Sequence, residues 1–296
     1  MKTRRYEYSE KAGWSFSRFD TFKTCKRQYF FDYYGKRYAP QELKERIEFL
    51  KSLQSPALLV GQIVHNAIAE IIKRVQSNGN EIPASDIKEK AKKTLAAALS
   101  GSQLIDSYYG SPISPARRFE SEFQLESCID AFLESRWYAA IRSASDEEKK
   151  LWIVEPEDFG EFRLDGLKAY ARVDFAFPGG DGGLKIIDWK TGKRYADKHL
   201  VQMQGYILYA HDVHSFPLEK ITAILEYLAD DGDAVEYSMP RDDFEVFRRR
   251  IKKDLSDMHS YCLEPENNVP LPLESFALRA DQRLCGWCRY RELCGR

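Results

Sequence analysis

Two short segments of the sequence place acidic residues inside otherwise apolar stretches. Asp174 interrupts ARVDFAF, and Asp188 and Lys190 lie in IIDWKTG. Side chains two positions apart on a β-strand point to the same face, so Asp188 and Lys190 are neighbours if their segment is a strand. If the two segments pair across the glycine-rich stretch between them, two carboxylates and an ammonium group converge.

Such a group has the parts for metal-dependent hydrolysis of a phosphodiester. Two adjacent carboxylates repel each other, and Mg²⁺ binds a few carboxylates together with water and phosphate oxygens. Lys190 can orient or deprotonate a metal-held water, or neutralise charge on the attacked phosphate. An isolated Asp-x-Lys is more often a surface ion pair at a strand end. The apolar flanks favour catalysis here, because buried acids need partners.

Four further polar residues are candidates for the same site. Glu155 either supplies another carboxylate or is an exposed acid at a strand end. His65, in GQIVHNAIAE, can complete a metal site as a neutral imidazole, although a lone helical histidine is more often a core or surface residue. Gln202 and Tyr206 are four positions apart on a predicted helix and share one face, where they can bond a phosphate or the lysine. Their alternative is an incidental polar pair on an amphipathic helix.

The last part of the sequence contains closely spaced cysteines. Cys285, Cys288 and Cys294 form C-x2-C-x5-C, and three thiolates at this spacing can hold one metal centre. A fourth ligand is missing locally, and Cys25, far upstream in KTCKRQY, is the candidate that would join the two ends of the chain. Spacing alone does not exclude structural zinc, and reduced cysteines without a metal are the remaining alternative.

Composition is that of an ordinary globular protein, with 43% hydrophobic and 31% charged residues among 296. The formal net charge of −1 gives no overall attraction to nucleic acid, so a DNA contact needs a local basic surface. No apolar stretch is long enough to span a bilayer and no signal segment is evident, which predicts a cytoplasmic protein without membrane contact. Disulfides are then not expected, and Cys128 and Cys262 are predicted to be buried free thiols.

The elements that must position these residues change character near residue 150. The first half has the helical period, with Ser17 as the expected N-cap of the first helix. Helices are predicted from Phe16 to about Tyr34 and over 61–76, 85–99 and 117–142. The β-rich segments WIVEP, FRLDGLKAYARVDFAF and LKIIDWK predict three antiparallel strands. They are followed by a helix over 198–212, strands ITAILEYL and AVEYSMP, and a helix from about 241 to 260.

This order of elements predicts an α/β core against which the amphipathic helices pack. We expect one domain over 1–296. Its parts are a mainly helical region at 1–145, the α/β core at 150–260 and the cysteine cluster at 280–296.

Taken in order, the motifs resemble the RecB-like branch of the PD-(D/E)XK nucleases. The resemblance is to its iron–sulfur group, which contains the AddB nuclease domain and CRISPR-associated exonucleases. SFSRFDTFKTCKRQYFFDYY is similar to the helix with the first cluster cysteine, and GQIVH to the histidine motif. ARVDFAF, IIDWKTG, the Q-x3-Y of Gln202 to Tyr206, and CGWCRYRELC match the remaining motifs. Val173 stands where the family has proline, and no G-x4-G-K-[ST] motif of an ATP motor occurs.

The resemblance implies a restriction-endonuclease-like core, a mixed sheet flanked by helices. In it Asp174, Asp188 and His65 would bind Mg²⁺ or Mn²⁺, and Lys190 would assist attack by water. Glu155 stands where relatives often carry a glutamate, as a ligand or as support.

A [4Fe-4S] cluster on Cys25, Cys285, Cys288 and Cys294 is the second implication. The implied substrate is DNA, with single-stranded ends foremost, in CRISPR adaptation or in repair and recombination together with proteins of those pathways. Lys26, Arg27, Arg289 and Arg291 would contact the strand or form solvated surface. Two alternatives stay open: a non-catalytic DNA- or partner-binding module, and a nuclease with zinc in place of the cluster.

Overall fold

The computed structural model describes residues 4–79, 82–101, 103–154, 160–179, 182–230 and 233–296. Its helices are α1 (Phe16–Thr24), α2 (Lys26–Tyr33), α3 (Gly35–Tyr38), α4 (Gln41–Ser52), α5 (Pro56–Gln76), α6 (Ala84–Ser100), α7 (Ile105–Tyr108), α8 (Pro115–Glu134), α9 (Arg136–Ser143), α10 (Asp146–Lys149), α11 (Ala196–His214) and α12 (Arg241–His259). Its strands are β1 (Ile153–Val154), β2 (Gly160–Leu164), β3 (Leu167–Ala171), β4 (Phe175–Pro178), β5 (Leu184–Lys190), β6 (Ile221–Tyr227), β7 (Asp233–Ser238), β8 (Cys262–Glu264) and β9 (Val269–Pro270). Among the described residues, no helix combines the length and apolar character that crossing a bilayer requires.

The central sheet has the order β1-β4-β5-β6-β7. Strands β5 and β6 run parallel, and the other neighbouring pairs run antiparallel. Phe175 pairs with Ile187 across β4 and β5, which confirms the predicted pairing across the glycine-rich turn. Strands β2 and β3 form a separate hairpin.

Helices cover both faces of this sheet because alternate residues of β5 are apolar on both sides. Leu184 and Ile186 belong to a core that includes side chains of α11 and α12. Ile187 and Trp189 belong to a second core with α5, α6 and α8. A strand buried on both faces reads as a continuous apolar run, as LKIIDWK does. The result is a mixed sheet flanked by helices, consistent with the expected restriction-endonuclease-like fold.

The first predicted helix is divided in the structure, and its predicted cap was wrong. Cys25 is extended (φ −156°, ψ 115°) between α1 and α2, and its Sγ accepts a hydrogen bond from the backbone N–H of Gln28. Ser15, and not Ser17, caps α1, because the Ser15 hydroxyl accepts from the backbone N–H of Arg18 at 3.2 Å. Ser17 lies inside the first turn.

Two other predicted segments also contain more than one element. FRLDGLKAYARVDFAF holds β2, β3 and the start of β4, because Asp165 (φ 52°) and Gly166 (φ 79°) make a tight hairpin turn. The helical segment at 117–142 is split at Ser135, whose hydroxyl caps α9.

Candidate active site

The polar residues predicted to act together meet where the parallel strands β5 and β6 end. Asp188 and Lys190 lie on β5, and Asp174 comes directly before β4. Helix α5, which carries His65, packs on the face of the sheet opposite to α11. Gly61 permits a close approach of this helix to the end of β5. A Cβ at Gly61 would lie 3.1 Å from Oγ1 of Thr191, the residue after Lys190. A side chain at Gly61 would therefore require Thr191 to shift by a few tenths of an ångström.

Asp174 is held by a side chain and by the backbone. Its Oδ2 lies 3.2 Å from Nδ1 of His65 and accepts the backbone N–H of Trp189 at 3.1 Å. Burial raises the pKa of Asp174, and the charge of Asp188 raises it further. Burial lowers the pKa of His65, but the charge of Asp174, the hydrogen bond to Asp174 and the charge of Asp188 together outweigh burial and raise this pKa to about 9. The contact therefore favours a protonated His65 beside Asp174.

Asp188 is the centre of a compact network and is only 3% exposed. The Tyr206 hydroxyl donates to its Oδ1 at 2.5 Å, and Nε2 of Gln202 donates to the Tyr206 hydroxyl at 2.6 Å. Lys190 donates to Oε1 of Gln202 at 2.8 Å and forms an ion pair with Oδ2 of Asp188. Burial and the charge of Asp188 raise the pKa of Tyr206 well above its ordinary value, so its hydroxyl remains a donor. The Q-x3-Y spacing thus places both side chains on the acid and the lysine.

The donor types at this site fit a hard divalent cation. Oδ2 of Asp188 is buried and, among the described residues, receives no hydrogen bond of acceptable geometry, although Lys190 is its ion-pair partner. Asp174 and His65 add an oxygen and a nitrogen donor close by. Within the described ranges, however, no three His, Cys, Asp or Glu side chains are grouped closely enough to hold a metal ion as they stand. The acids are instead neutralised by His65 and Lys190.

Two supporting residues were not predicted from the sequence. Glu226 on β6 is 2% exposed and accepts the indole N–H of Trp189 at 2.9 Å. Burial raises the pKa of Glu226 to about 7. Gln124 on α8 donates to the carbonyl O of Thr191 at 2.6 Å. Glu226 carries the signal that singled out Asp174, an acid within an apolar strand, whereas nothing local marks Gln124.

Glu155, the remaining candidate of the site, lies outside the described residues.

The four predicted cluster cysteines line one small pocket of about 30 Å³. Burial raises the pKa of Cys288, and it raises that of Cys294 to about 11. The charges of Cys25 and Cys285 add to both shifts. The pocket brings Cys25 to the three cysteines near the other end of the chain, but within the described ranges no three of these side chains are grouped closely enough to hold a metal ion as they stand. The thiols of Cys128 and Cys262 are free and buried.

The basic residues near this pocket are engaged with backbone carbonyls. Lys26 donates to the carbonyl O of Phe22 at 2.6 Å, Arg27 to Phe276 at 2.8 Å, Arg289 to Lys51 at 2.6 Å and Arg291 to Gly286 at 2.6 Å. Each of these cations therefore contributes a hydrogen bond to the fold, in addition to any contact with DNA.

Asp174 before β4 and the Asp-x-Lys of β5 thus lie on a mixed sheet that helices cover on both faces. The family model of the PD-(D/E)XK nuclease superfamily matches residues 13–295, and the chain belongs to that superfamily. Membership indicates a nuclease with DNA as the suggested substrate, and nucleases of this family usually use Mg²⁺ or Mn²⁺.

Other comparisons add little. No curated protein matches the chain. Among solved structures, the chain is similar to the crystal structure of SSO0001, with 16% identity and a TM-score of 0.30, over 76% of this chain and 93% of that one. A likeness so distant carries no argument about function.

Proposed function

We propose that this protein is a metal-dependent deoxyribonuclease that acts on single-stranded DNA ends. The observation that carries the proposal is the network of Asp188, Lys190, Gln202 and Tyr206 beside the pair of Asp174 and His65. A protein that only binds DNA has no need for a lysine fixed against a buried carboxylate. The preference for single-stranded ends rests on the resemblance of the motifs to RecB-like exonucleases.

Each residue has a defined task in this proposal. Asp174, Asp188 and His65 would hold Mg²⁺ or Mn²⁺, which supplies Lewis-acid stabilisation and an activated water. Lys190 places its ammonium beside the attacked phosphate and neutralises charge that develops there. Gln202 fixes the position of Nζ of Lys190 at 2.8 Å. Tyr206 fixes the carboxylate of Asp188.

We also propose that Cys25, Cys285, Cys288 and Cys294 hold a [4Fe-4S] cluster that joins the two ends of the chain. Their common pocket and their sulfur chemistry support this. Structural zinc is the competing ligand. Measurement of iron and acid-labile sulfide in anaerobically purified protein distinguishes them, because stoichiometric zinc without iron contradicts the cluster.

The biological setting is part of the same proposal. Membership of the RecB-like iron–sulfur group and a role in CRISPR adaptation or in repair and recombination are proposed from the motif resemblance, and a cytoplasmic location is proposed with them. Partner proteins of those pathways would act on the same DNA ends.

Cleavage assays test the catalytic proposal directly. End-labelled single- and double-stranded DNA is incubated with Mg²⁺, Mn²⁺ or EDTA. We expect cleavage by the wild type, loss in EDTA, and a loss of at least about a hundredfold in Asp188→Asn and Lys190→Ala. Lys185→Ala is the matched control, because Lys185 lies on the same strand at its other end. A folded wild type that binds DNA but never cleaves it points to the non-catalytic module.

A further inference from the structure

His199 lies beside the catalytic network but has no role in it so far. It is on α11, three positions before Gln202. Its Nδ1 lies 2.6 Å from the hydroxyl O of Tyr227. Tyr227 is the register partner of Lys190 in the parallel pair of β5 and β6. The imidazole is therefore anchored at the strand end that carries the lysine.

Two aromatic rings and one hydrogen bond fix the orientation of this imidazole. The Tyr227 ring centroid lies 5.5 Å from it at an interplanar angle of 33°, and the edge of Tyr195 meets it at 6.0 Å and 87°. A Tyr227 hydroxyl that donates to Nδ1 leaves the ring proton on Nε2. Nε2 has no hydrogen-bond partner in the part of the chain that the structure describes, and His199 is partly exposed. With Tyr227 as the donor to Nδ1, the Nε2–H of His199 is oriented without an acceptor among the described residues.

Several cationic side chains lie near His199, each beside an acidic partner; Lys198, for example, pairs with Asp20 at 2.9 Å. Lys190 and Lys198 both repel a proton on the ring, and Asp188 acts in the opposite sense. The Arg194 guanidinium lies 4.5 Å from the Tyr227 ring centroid, although Asp233 pairs with it. Burial lowers the pKa of His199, and the charge of Lys190 lowers it further, which favours the neutral ring. A neutral imidazole with its proton on Nε2 can donate to a phosphate oxygen.

We propose that His199, oriented by Tyr227, donates a hydrogen bond from Nε2 to a non-bridging phosphate oxygen of the DNA strand beside Lys190. The inference rests on the proposed function and adds a substrate-binding residue to its site. A purely structural pair, in which His199 only packs on Tyr227, is the alternative.

Binding measurements give the first test. A fluorescein-labelled single-stranded oligonucleotide is titrated in EDTA, where no cleavage is expected, and Kd is read from anisotropy. We expect His199→Ala to raise Kd and KM by about tenfold or more with kcat little changed, because the lost bond is to a charged group. His199→Gln retains an amide donor and recovers part of the loss, and Tyr227→Phe gives an intermediate loss. His211→Ala is the control, since His211 is exposed on the same helix and bonds the carbonyl O of Phe216.

Oligonucleotides that carry one methylphosphonate linkage give the second test. Such a linkage removes one charged phosphate oxygen at a chosen position. The wild type should lose affinity at a particular linkage, and His199→Ala should lose nothing further there. A change in packing alone would leave the pattern of losses along the strand unchanged.

The outcomes distinguish a failure of this inference from a failure of the proposed function. A wild type that neither binds nor cleaves DNA overturns both. A wild type that cleaves DNA while His199→Ala matches it in Kd, KM and methylphosphonate pattern overturns only the role of His199. Equal losses in His199→Ala and His211→Ala also overturn that role, because they indicate a general disturbance of α11.

Discussion

At the residue scale, the chemistry of the site depends on how Asp188 is held. Its two oxygens face different partners, since Tyr206 donates to Oδ1 and Lys190 pairs with Oδ2. In the proposed site, a carboxylate fixed in this way would lose little conformational freedom when a cation binds. Tyr206 would therefore act through the acid and not on the substrate.

Replacement of Tyr206 by phenylalanine tests this role. We expect Tyr206→Phe to reduce activity by about tenfold to a hundredfold and to shift the Mn²⁺ titration of cleavage to higher concentration, because Asp188 loses an orienting donor. The measurement is cleavage rate against Mn²⁺ concentration. Tyr209→Phe on the same helix is the control, since Tyr209 is also buried. A Tyr206 variant with unchanged metal dependence would contradict the role.

Glu226, which accepts the indole N–H of Trp189 between Asp188 and Lys190, gives a pH-dependent prediction. Its pKa is raised to about 7 by burial from an ordinary value of 4.5, so the folded state binds its proton more tightly than the unfolded state. The stability that this group contributes is full below about pH 4.5 and is lost as the pH rises through 7.

Urea unfolding at several pH values checks the sign. We expect the unfolding free energy of Glu226→Gln to rise relative to that of the wild type as the pH increases from 5 to 8, by roughly 3 kcal/mol at most. Other titrating groups cancel in this difference. Glu236→Gln, on the neighbouring strand and more exposed, should show no such trend. A constant difference between Glu226→Gln and the wild type would refute the assignment.

At the scale of elements, the site depends on contacts between helices and the loop after β5. Gln124 ties α8 to the carbonyl O of Thr191, which follows Lys190 directly. We expect Gln124→Ala to lower kcat about tenfold with little change in KM, because Lys190 loses part of its support.

Gln76 provides the matched control for that variant. Its amide donates to the carbonyl O of Lys149 at 2.9 Å, which is the same kind of bond away from the site. Both variants should cost about 1 kcal/mol of stability. Only Gln124→Ala should slow cleavage, and equal kcat losses in the two variants would show a general effect of stability.

The sequence predicted the helices and strands more accurately than the residues at which one element ends and the next begins. The spacing of apolar residues along the chain identified the long helices and the strand pair that carries Asp174 and Asp188, because each kind of element buries its side chains at a characteristic interval. It did not locate the break at Cys25, since an extended residue between two helices leaves the apolar pattern intact. Ser15 and Ser17 have the same chemistry, and only the path of the chain decides which one caps.

The site was predictable where a motif has fixed spacing and not where contacts are distant. Gln202 and Tyr206 share a helical face, from which Gln202 bonds Lys190 and Tyr206 bonds Asp188. The bonds of Gln124 to Thr191 and of His199 to Tyr227 join separate elements. No local pattern encodes such pairs, because they depend on how the helices pack against the sheet.

At the scale of the whole molecule, two cores meet on one sheet and the chain ends meet each other. Ile186 and Ile187 are neighbours on β5 but belong to opposite cores. We therefore expect the cores to unfold together, in keeping with the prediction of one domain. The ends are joined by Arg279, which donates to the carbonyl O of Thr24 at 2.8 Å, and by Tyr290, which donates to Asp32 at 2.7 Å.

The cysteine pocket leads to a prediction about this junction. If the pocket holds the proposed cluster, Cys25→Ser removes one of four ligands, and iron per chain should fall together with the melting temperature. The loss of stability should be large, because a centre that links distant parts of a chain contributes folding energy. Cleavage should weaken as a consequence, since α1 and α2 share the core that contains Tyr206. Cys262→Ala should retain its iron, because Cys262 lies outside the pocket. Iron-free wild type would contradict the cluster, whereas a Cys25→Ser protein that keeps full iron would contradict the choice of Cys25.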